Sequence, residues 1–295
     1  MIITAGDLIT DVLAVVPGDF AYGSDTPATV TIAGGGQAAN VAAWLASIGA
    51  AVTFAGAVGA DQAGRDRIAE LHAAGVDTEV AVHDGVTTGS IIVLVHGSER
   101  SMITDRGANL RFDAASVGLA ARRPGARHLH LSGYTLLDDD SRPAGLRALE
   151  TAREAGLTTS VDAASAAPLR VVRDAFLTWV HGCDLVLAND VEAEILAGPG
   201  SPLDQAATLA QITGGSCVVK LGADGAVWAG QDGHWRAATE PAPEVDVTGA
   251  GDAFAAGLLD AWVSGRGVQD ALDAGCRMGA VAVGTLGGRP PAGRA

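Results

Sequence analysis

The sequence contains very little lysine. Of its 19 lysine and arginine residues, only Lys220 is a lysine. A Walker A loop needs a lysine directly after a glycine and directly before a serine or threonine. Lys220 stands between Val219 and Leu221, so the sequence excludes a P-loop nucleotide site. Any phosphoryl transfer by this chain must therefore use another architecture.

Cysteines, basic patches and long apolar runs are also scarce. The three cysteines are far apart and lack metal-ligand spacing, which is typical of a protein from a reducing compartment. A net charge of −15 without a basic stripe argues against nucleic-acid binding. The first residues have no basic region before an apolar one, and no run of about 18 apolar residues occurs. We expect no signal peptide, no membrane span and a cytoplasmic location.

Short runs rich in valine, isoleucine and leucine alternate along the chain with longer alanine-rich stretches. This alternation predicts an α/β fold with a mainly parallel sheet covered by helices on both faces. The predicted strands are residues 1–6, 51–59, 127–133, 157–163, 183–189 and 216–222. The predicted helices lie near residues 37–48, 62–74, 142–155, 190–197, 202–213, 250–264 and 268–284.

Two segments interrupt this alternation. Residues 12–33 and 86–105 resemble short strands separated by turn residues, and the second has the pattern of a hairpin. We expect the two segments to pair into a small sheet that acts as a lid over the α/β crevice. Because no linker or repeat is visible, residues 1–295 are predicted to form one domain with this lid.

A glycine-bearing turn runs directly into an apolar helix at residues 246–262. Gly249 and Gly251 allow the backbone to turn and to approach a ligand closely. If the helix begins at about Asp252, the free N–H groups of residues 249–252 form an anion site. Asp252 has two interpretations: it caps the helix, or its carboxylate takes part in chemistry.

A second glycine-rich segment covers residues 34–49. Gly34, Gly36 and Ala39 match a variant of the dinucleotide-binding pattern, but the next strand has no acidic residue placed to hold a ribose. The residues favour a small polar ligand that lies against the glycines, with the Asn40 amide directed at its hydroxyls. Asn40 as a residue that only starts the helix is the alternative.

Other candidates follow predicted strands, where ligands collect in α/β sheets. Asn189 and Glu192 share one helix face, although they also match a capping box. Gly222 and Gly225 flank a turn that on its own indicates only a hairpin. Asp7, Asp11 and Asp162 follow strands and either accept hydrogen bonds from a ligand or lie at the surface.

Taken in order, these motifs resemble those of pfkB-type carbohydrate kinases of the ribokinase-like family. The matching segments are "GDLITD", "GGGQAAN", "NDVE", "KLGADG" and "DVTGAGDAFAAGLL", and they extend over essentially the whole chain. The resemblance implies a ribokinase-like, Rossmann-type three-layer sandwich with a mainly parallel sheet and a small β-sheet lid. It also implies transfer of the γ-phosphate of ATP to a hydroxyl, usually a hydroxymethyl group, of a sugar or nucleoside.

The resemblance further implies roles for individual residues. Asp252 would be the catalytic base, and the anion hole would be formed by Gly249, Ala250 and Gly251. The substrate would be bound by Asp7, Asp11, Gly35, Gly36 and Asn40. ATP would be contacted by Asn189, Lys220, Gly222 and Gly225. Glu192 would serve Mg²⁺ through water, and Asp246 matches a K⁺ site of some relatives.

Departures from the family pattern concern the substrate. Gln37 and Ile9 replace a lysine and an asparagine of ribose-specific members, which argues against ribose. Arg100 or Arg106 could meet an acidic or phosphorylated sugar, or could be lid or solvent-facing charges. The lid strands could also pair between subunits to give a homodimer. The alternatives to a sugar kinase are a nucleoside kinase, a non-catalytic sugar-binding protein and an NAD(P)-dependent dehydrogenase.

Overall fold

The computed structural model describes residues 1–96, 99–231 and 233–291, without the side chains of residues 99 and 100. Thirteen strands lie in this part of the chain. They are β1 Ile2–Ala5, β2 Ile9–Val16, β3 Thr29–Gly35, β4 Val52–Gly59, β5 Asp77–His83, β6 Ser90–His96, β7 Glu99–Asp105, β8 His128–Ser132, β9 Thr158–Asp162, β10 Leu185–Asn189, β11 Ser216–Lys220, β12 Ala226–Gly230 and β13 Gly233–Ala237.

Ten α-helices accompany these strands within the described ranges. They are α1 Gln37–Ser47, α2 Gln62–Ala73, α3 Ala114–Ala121, α4 Tyr134–Leu137, α5 Arg142–Glu154, α6 Ala166–Trp179, α7 Asp190–Ala197, α8 Pro202–Thr213, α9 Ala250–Val263 and α10 Val268–Val283. None of the described helices is long and apolar enough to cross a membrane.

Nine strands form the main sheet, in the order β13-β12-β11-β10-β9-β8-β1-β4-β5. Strands β11 to β5 in this order are parallel, and β12 and β13 are antiparallel additions at one edge. Adjacent residues of β1 point to opposite faces: Ile2 belongs to the buried apolar cluster that includes residues of α1, α9 and α10, and Ile3 belongs to the cluster that includes residues of α3, α5 and α6. The sheet therefore separates two apolar layers, which confirms the predicted fold class.

A separate sheet has four strands in the order β3-β2-β6-β7. Both interrupting segments contribute strands to it, although β2 starts at Ile9, before the segment predicted from the sequence. Ile32, Ile92 and Ile103 are 66%, 41% and 59% exposed. Val12 of β2 is paired with Ile32 of β3 on one side and with Ile92 of β6 on the other, and Ile92 is paired with Ile103 of β7. Directly paired residues share a face, so these side chains form an exposed apolar row.

Several elements differ from the sequence-based expectation. Strands β5, β12 and β13 and helices α3, α4 and α6 were not predicted. Pro168 lies in the first turn of α6, where proline is tolerated but hides the helical pattern. Helix α9 begins at Ala250, as the predicted range of residues 250–264 has it, so Asp252 is not its first residue.

Candidate active site

The carboxyl ends of the parallel strands meet at one edge of the main sheet. Asp162, Asn189 and Lys220 are the last residues of β9, β10 and β11, and Asp7 follows β1 by two residues. Because these strands are neighbours in a parallel sheet, the fold brings their terminal side chains to one crevice. Asp7 and Asp162 are both 3% exposed.

Helix α9 begins at this edge with a left-handed turn. Gly249 is its N-cap with φ of 76°, and a Cβ there would lie 2.5 Å from the Gly288 backbone. Only glycine fits this conformation and this close approach. Within the described chain, the amides of Gly251 and Asp252 have no backbone acceptor, and Ala250 N–H donates to Val247 C=O. The start of α9 therefore presents free donors to an anion.

Asp252 lies in the first turn of α9, so its interpretation as the N-cap is wrong. Its Oδ2 accepts a hydrogen bond of 2.9 Å from Nδ2 of Asn40 on α1. Burial raises the pKa of Asp252 to about 7, although the bond from Asn40 opposes this rise. A carboxylate with a pKa near neutrality suits a general base.

Asp162 connects the glycine-rich start of α1 with β11. Its Oδ2 lies 2.6 Å from Lys220 Nζ, and its Oδ1 accepts a 3.0 Å bond from Gln37 Nε2. Ser132 Oγ donates in turn to Gln37 Oε1 at 2.6 Å. Gln37 is thus held by Asp162 and Ser132, and Lys220 is held beside Gly251.

A cavity of about 680 Å³ opens next to the start of α9. Its size lies within the range of roughly 300–1,000 Å³ found for small-molecule sites. Its apolar wall includes Phe254, Cys276 and Val283 from α9 and α10. Its polar side includes Asn189, Lys220, Gly222, Gly225, Ala250 and Gly251. All four residues expected to contact ATP therefore line one cavity together with part of the expected anion hole.

Asn189 and Glu192 form the capping box that was the alternative interpretation of their motif. Asn189 Oδ1 accepts from the Glu192 amide, and Glu192 Oε2 accepts from the Asn189 amide, each at 2.8 Å. Glu192 is 3% exposed, and burial followed by the nearby Asp162 raises its pKa. The Oε1 atom of Glu192 takes no part in the capping box. No group of three metal-binding side chains occurs in the ranges that the structure describes.

Asp7 and Asp11 differ in their surroundings. Arg106 Nη2 donates to both carboxylate oxygens of Asp7 at 2.6 and 2.7 Å, and its guanidinium lies 4.7 Å from the centre of the Tyr134 ring. Asp7 is therefore already paired. Asp11 lies against Gly35, and burial raises the pKa of Asp11 to about 6. Gly36 has φ of 102° and approaches the Asp7 carbonyl so closely that a Cβ would clash.

Arg289 is a site residue that the sequence did not reveal. Its Nε donates to Asn40 Oδ1 at 3.2 Å, and its Nη2 donates to the Gly35 carbonyl at 3.0 Å. The side chain is 15% exposed and also pairs with Glu70 Oε2 at 3.3 Å. Arg289 occurs in a stretch rich in glycine and proline without periodicity, so no sequence signal indicated its position.

Asp246 lies near the glycine turn at the start of α9 and does not line the cavity. It is 5% exposed and accepts from the Thr248 amide at 2.9 Å and from the Gly287 amide at 3.0 Å. Of the two arginines considered for the substrate, Arg106 is paired with Asp7, and the Arg100 side chain lies outside the described residues.

Comparisons with known proteins identify the family. The family model for pfkB family carbohydrate kinases matches residues 1–293. The chain is 31% identical over 270 residues to Fructokinase-1 of Zea mays, covering 88% of this chain and 82% of that protein.

Solved structures agree with this assignment. Adenosine kinase from Sinorhizobium meliloti superposes with a TM-score of 0.86 at 26% identity, covering 98% of this chain and 95% of that one. A putative ribokinase II from E. coli in complex with ATP and Mg²⁺ has the same fold, with a TM-score of 0.85 at 23% identity over 97% and 94% of the two chains. The chain therefore belongs to the pfkB family of carbohydrate kinases and is an ATP-dependent sugar or nucleoside kinase.

Proposed function

We propose that this kinase transfers the γ-phosphate of ATP to a hydroxymethyl group of a sugar or sugar derivative, with Asp252 as the base. One observation carries the proposal: Asp252 lies at the start of α9, directly after the Gly251 that lines the large cavity, and its carboxylate bonds to Asn40. The base thus lies between the residues expected to hold ATP and those expected to hold the acceptor.

The proposed proton transfer uses the ionised form of Asp252. A carboxylate with a pKa of about 7 is partly ionised at neutral pH and binds a proton readily once it has taken one from the acceptor hydroxyl. The Oδ2 atom is engaged by Asn40, which leaves Oδ1 to accept the proton. The deprotonated hydroxyl then attacks the γ-phosphorus, and ADP leaves.

The start of α9 supports stabilisation of the transferring group. The amides of Gly251 and Asp252 lack backbone acceptors within the described chain, and they belong to a helix N-terminus. Fixed donors of this kind stabilise charge on a moving phosphoryl group without having to reorganise. Gly249, Ala250 and Gly251 are therefore proposed as the anion hole.

Nucleotide and metal are assigned to the cavity side. Asn189, Lys220, Gly222 and Gly225 are proposed to contact ATP, supported by their common position in the cavity lining. Mg²⁺ keeps several waters and uses few protein carboxylates. The buried Glu192, with Oε1 outside the capping box, fits contact with such a water. Bound Mg²⁺ would neutralise charge on the phosphate oxygens.

The acceptor is assigned to the side of the glycine-rich segment. Asp11, Asn40 and the backbone of Gly35 and Gly36 are proposed to bind its hydroxyls, whereas Asp7 acts by holding Arg106. Gln37 is occupied by Asp162 and Ser132. These contacts suit a neutral sugar, since hydroxyls both donate and accept hydrogen bonds.

A nucleoside acceptor is the second candidate, supported by the similarity to the adenosine kinase of Sinorhizobium meliloti. A K⁺ ion beside Asp246, a cytoplasmic location, and a single domain whose four-stranded sheet acts as a lid and dimer interface remain predictions. The exposed row of Ile32, Ile92 and Ile103 supports the dimer.

The proposal is tested by measuring ADP release with Mg·ATP across sugars, sugar acids and nucleosides, each with and without K⁺. Phosphorus NMR of the product identifies the phosphorylated oxygen. We expect one class to be turned over far faster than ATP is hydrolysed without an acceptor. Equal ADP release with and without every acceptor would contradict the proposal.

A further inference from the structure

Asn40 links a residue near the end of the described chain to Asp252. Arg289 Nε donates to Asn40 Oδ1 at 3.2 Å, and Asn40 Nδ2 donates to Asp252 Oδ2 at 2.9 Å. We propose that Arg289 is a positioning residue, which sets the direction of the Asn40 amide and so fixes Asp252 for its role as base. The inference rests on the proposed function of Asp252.

The direction of the Asn40 amide follows from the chemistry of its two neighbours. Arginine can only donate hydrogen bonds, and an ionised carboxylate can only accept them. Rotating the amide by half a turn would place its NH₂ group against the guanidinium and its oxygen against Asp252. Both contacts would then be repulsive, so Arg289 and Asp252 together permit one orientation.

Arg289 is itself held in place by contacts on three sides. Its Nη2 donates to the Gly35 carbonyl at 3.0 Å, and its Nη1 lies 3.3 Å from Glu70 Oε2. The preceding carbonyl of Gly288 accepts a 3.0 Å bond from the indole of the buried Trp44. The Gly288 backbone also packs against Gly249 at the start of α9. The guanidinium therefore has a fixed position relative to both α1 and α9.

The hydrogen bonds from Arg289 to Asn40 and from Asn40 to Asp252 determine which oxygen of Asp252 faces the acceptor. In the described part of the chain, Oδ2 receives the bond from Asn40, and Oδ1 receives no hydrogen bond. Without Arg289, the Asn40 amide can rotate, and Oδ2 loses its fixed donor. Asp252 then alternates between orientations, of which only some direct a free oxygen at the substrate hydroxyl. Misorientation of a catalytic base lowers turnover more than it lowers substrate affinity.

Charged and titratable groups surround Asp252 on several elements. They are Asp11 on β2, Tyr134 on α4, Asp162 on β9, Lys220 on β11 and Arg289 after α10. The bond from Asn40 lowers the pKa of Asp252 against the effect of burial. Loss of Arg289 loosens this bond, and this change favours the protonated form of Asp252. Activity is then lost first at the acidic side of the pH profile.

A double-mutant cycle tests the linkage. Arg289→Met keeps an unbranched side chain without donors, and Asn40→Ala removes the intermediary. We expect each single variant to lower kcat by about 10-fold at pH 7, the loss of roughly one hydrogen bond. The double variant should be no slower than Asn40→Ala, because Arg289 acts through Asn40. Multiplicative losses would overturn the proposal.

Controls separate this role from charge and folding. Arg266→Met removes an exposed cation that follows α9 and pairs with Asp260 near the end of that helix. This substitution should leave kcat and the pH profile unchanged. Arg289→Lys serves as a second variant if the Met variant does not fold. One ammonium cannot occupy the three positions of the guanidinium nitrogens. The acidic limb of the pH–activity profile of Arg289→Lys should therefore also move to higher pH. An unchanged limb in a folded Arg289 variant would overturn the proposal.

A titration keeps the test independent of kinase activity. In protein labelled with ¹³C at the aspartate carboxyls, Asp252→Asn assigns the Asp252 signal. We expect Asp252 to titrate at a higher pH in Arg289→Met and in Asn40→Ala than in wild type, and at no higher pH in the double variant than in Asn40→Ala. If no acceptor is ever phosphorylated, the proposed function fails while this titration still decides the linkage. A signal that titrates alike in wild type and Arg289→Met contradicts it.

Discussion

Asn40 Nδ2 and Asp252 Oδ2 are 2.9 Å apart, although 212 residues separate the two in the chain. This bond joins the first glycine-rich segment to the last one, and it joins α1 to α9. The two glycine-rich segments that meet at the crevice thus share one hydrogen bond.

Replacing Asp252 by Asn should lower kcat by roughly 10² to 10⁴-fold, the usual contribution of a general base. The amide keeps the shape of the side chain but cannot take a proton. ADP release at saturating ATP and acceptor measures the effect. Asp260→Asn makes the same change on the same helix, away from the crevice, and should leave kcat unaltered. Near-wild-type turnover of Asp252→Asn would contradict the assignment of the base.

The same substitution should stabilise the ligand-free protein at pH 8. Burial raises the pKa of Asp252 from 3.8 to about 7, so the folded state binds this proton more tightly than the unfolded state does. Stability contributed by the protonated group is therefore present below pH 4 and is lost as pH rises towards 7. We expect Asp252→Asn to gain about 1–3 kcal/mol in free energy of unfolding at pH 8.

Denaturant titrations of wild type and Asp252→Asn at pH 4.5 and pH 8 measure this gain. The difference should shrink at the lower pH, where Asp252 is protonated in the folded protein. A stability difference that does not change with pH would show that the Asp252 carboxyl titrates normally.

Replacing Glu192 by Gln should raise the Mg²⁺ concentration needed for half-maximal activity by about 10-fold, as for other residues that contact a metal through water. Glutamine can still accept the bond from the Asn189 amide, so the capping box and α7 should persist. Circular dichroism checks the helix, and a Mg²⁺ titration at fixed ATP checks the metal. An unaltered Mg²⁺ requirement would remove Glu192 from the metal network.

Gly249→Ala and Gly265→Ala form a matched pair. Both glycines have a positive φ, 76° and 80°, but only at Gly249 would a Cβ meet other atoms, those of Gly288 at 2.5 Å. Gly265→Ala should cost only the conformational strain, about 1–2 kcal/mol. Gly249→Ala should cost more and should also lower kcat, because the clash displaces the anion-binding turn. Equal effects of the two substitutions on stability and turnover would argue against the close packing at Gly249.

The exposed apolar row on the four-stranded sheet predicts a homodimer. Ile32→Glu places a charge in this row and should convert the dimer to a monomer, as measured by sedimentation velocity. Ile212→Glu changes an isoleucine of α8 that is 38% exposed, and it should not affect assembly. A wild-type protein that sediments as a monomer at micromolar concentration would contradict the interface.

Much of this fold is visible in the sequence because its signals are local. Runs such as residues 185–188 are apolar throughout, as expected for strands covered on both faces. The motif around Asp252 combines turn glycines with an apolar helix, and both signals lie within a short stretch of sequence. The start of α9 carries no side-chain signal because its N-cap is a glycine, unlike Asn189 and Ser201 at the starts of α7 and α8.

The missed features depend on tertiary contacts. Strand β5 is an edge strand with partly exposed residues, so it lacks the uniform apolar character of its neighbours. The pairing of Asp7 with Arg106 joins residues 99 positions apart. Arg289 follows two glycines and precedes two prolines, a composition typical of an unstructured end. Its position depends on its own contacts with Asn40 and Gly35 and on the contacts of the preceding Gly288 with Trp44 and Gly249.

The position of Arg289 in the chain has a consequence for synthesis. Every strand and helix described here is complete by Val283, so both sheets can assemble before residues 287–289 leave the ribosome. A nascent chain that ends before Gly287 would lack the backbone that supports Gly249 and the guanidinium that orients Asn40. The residues that support Gly249 and orient Asn40 are therefore synthesised after every described strand and helix.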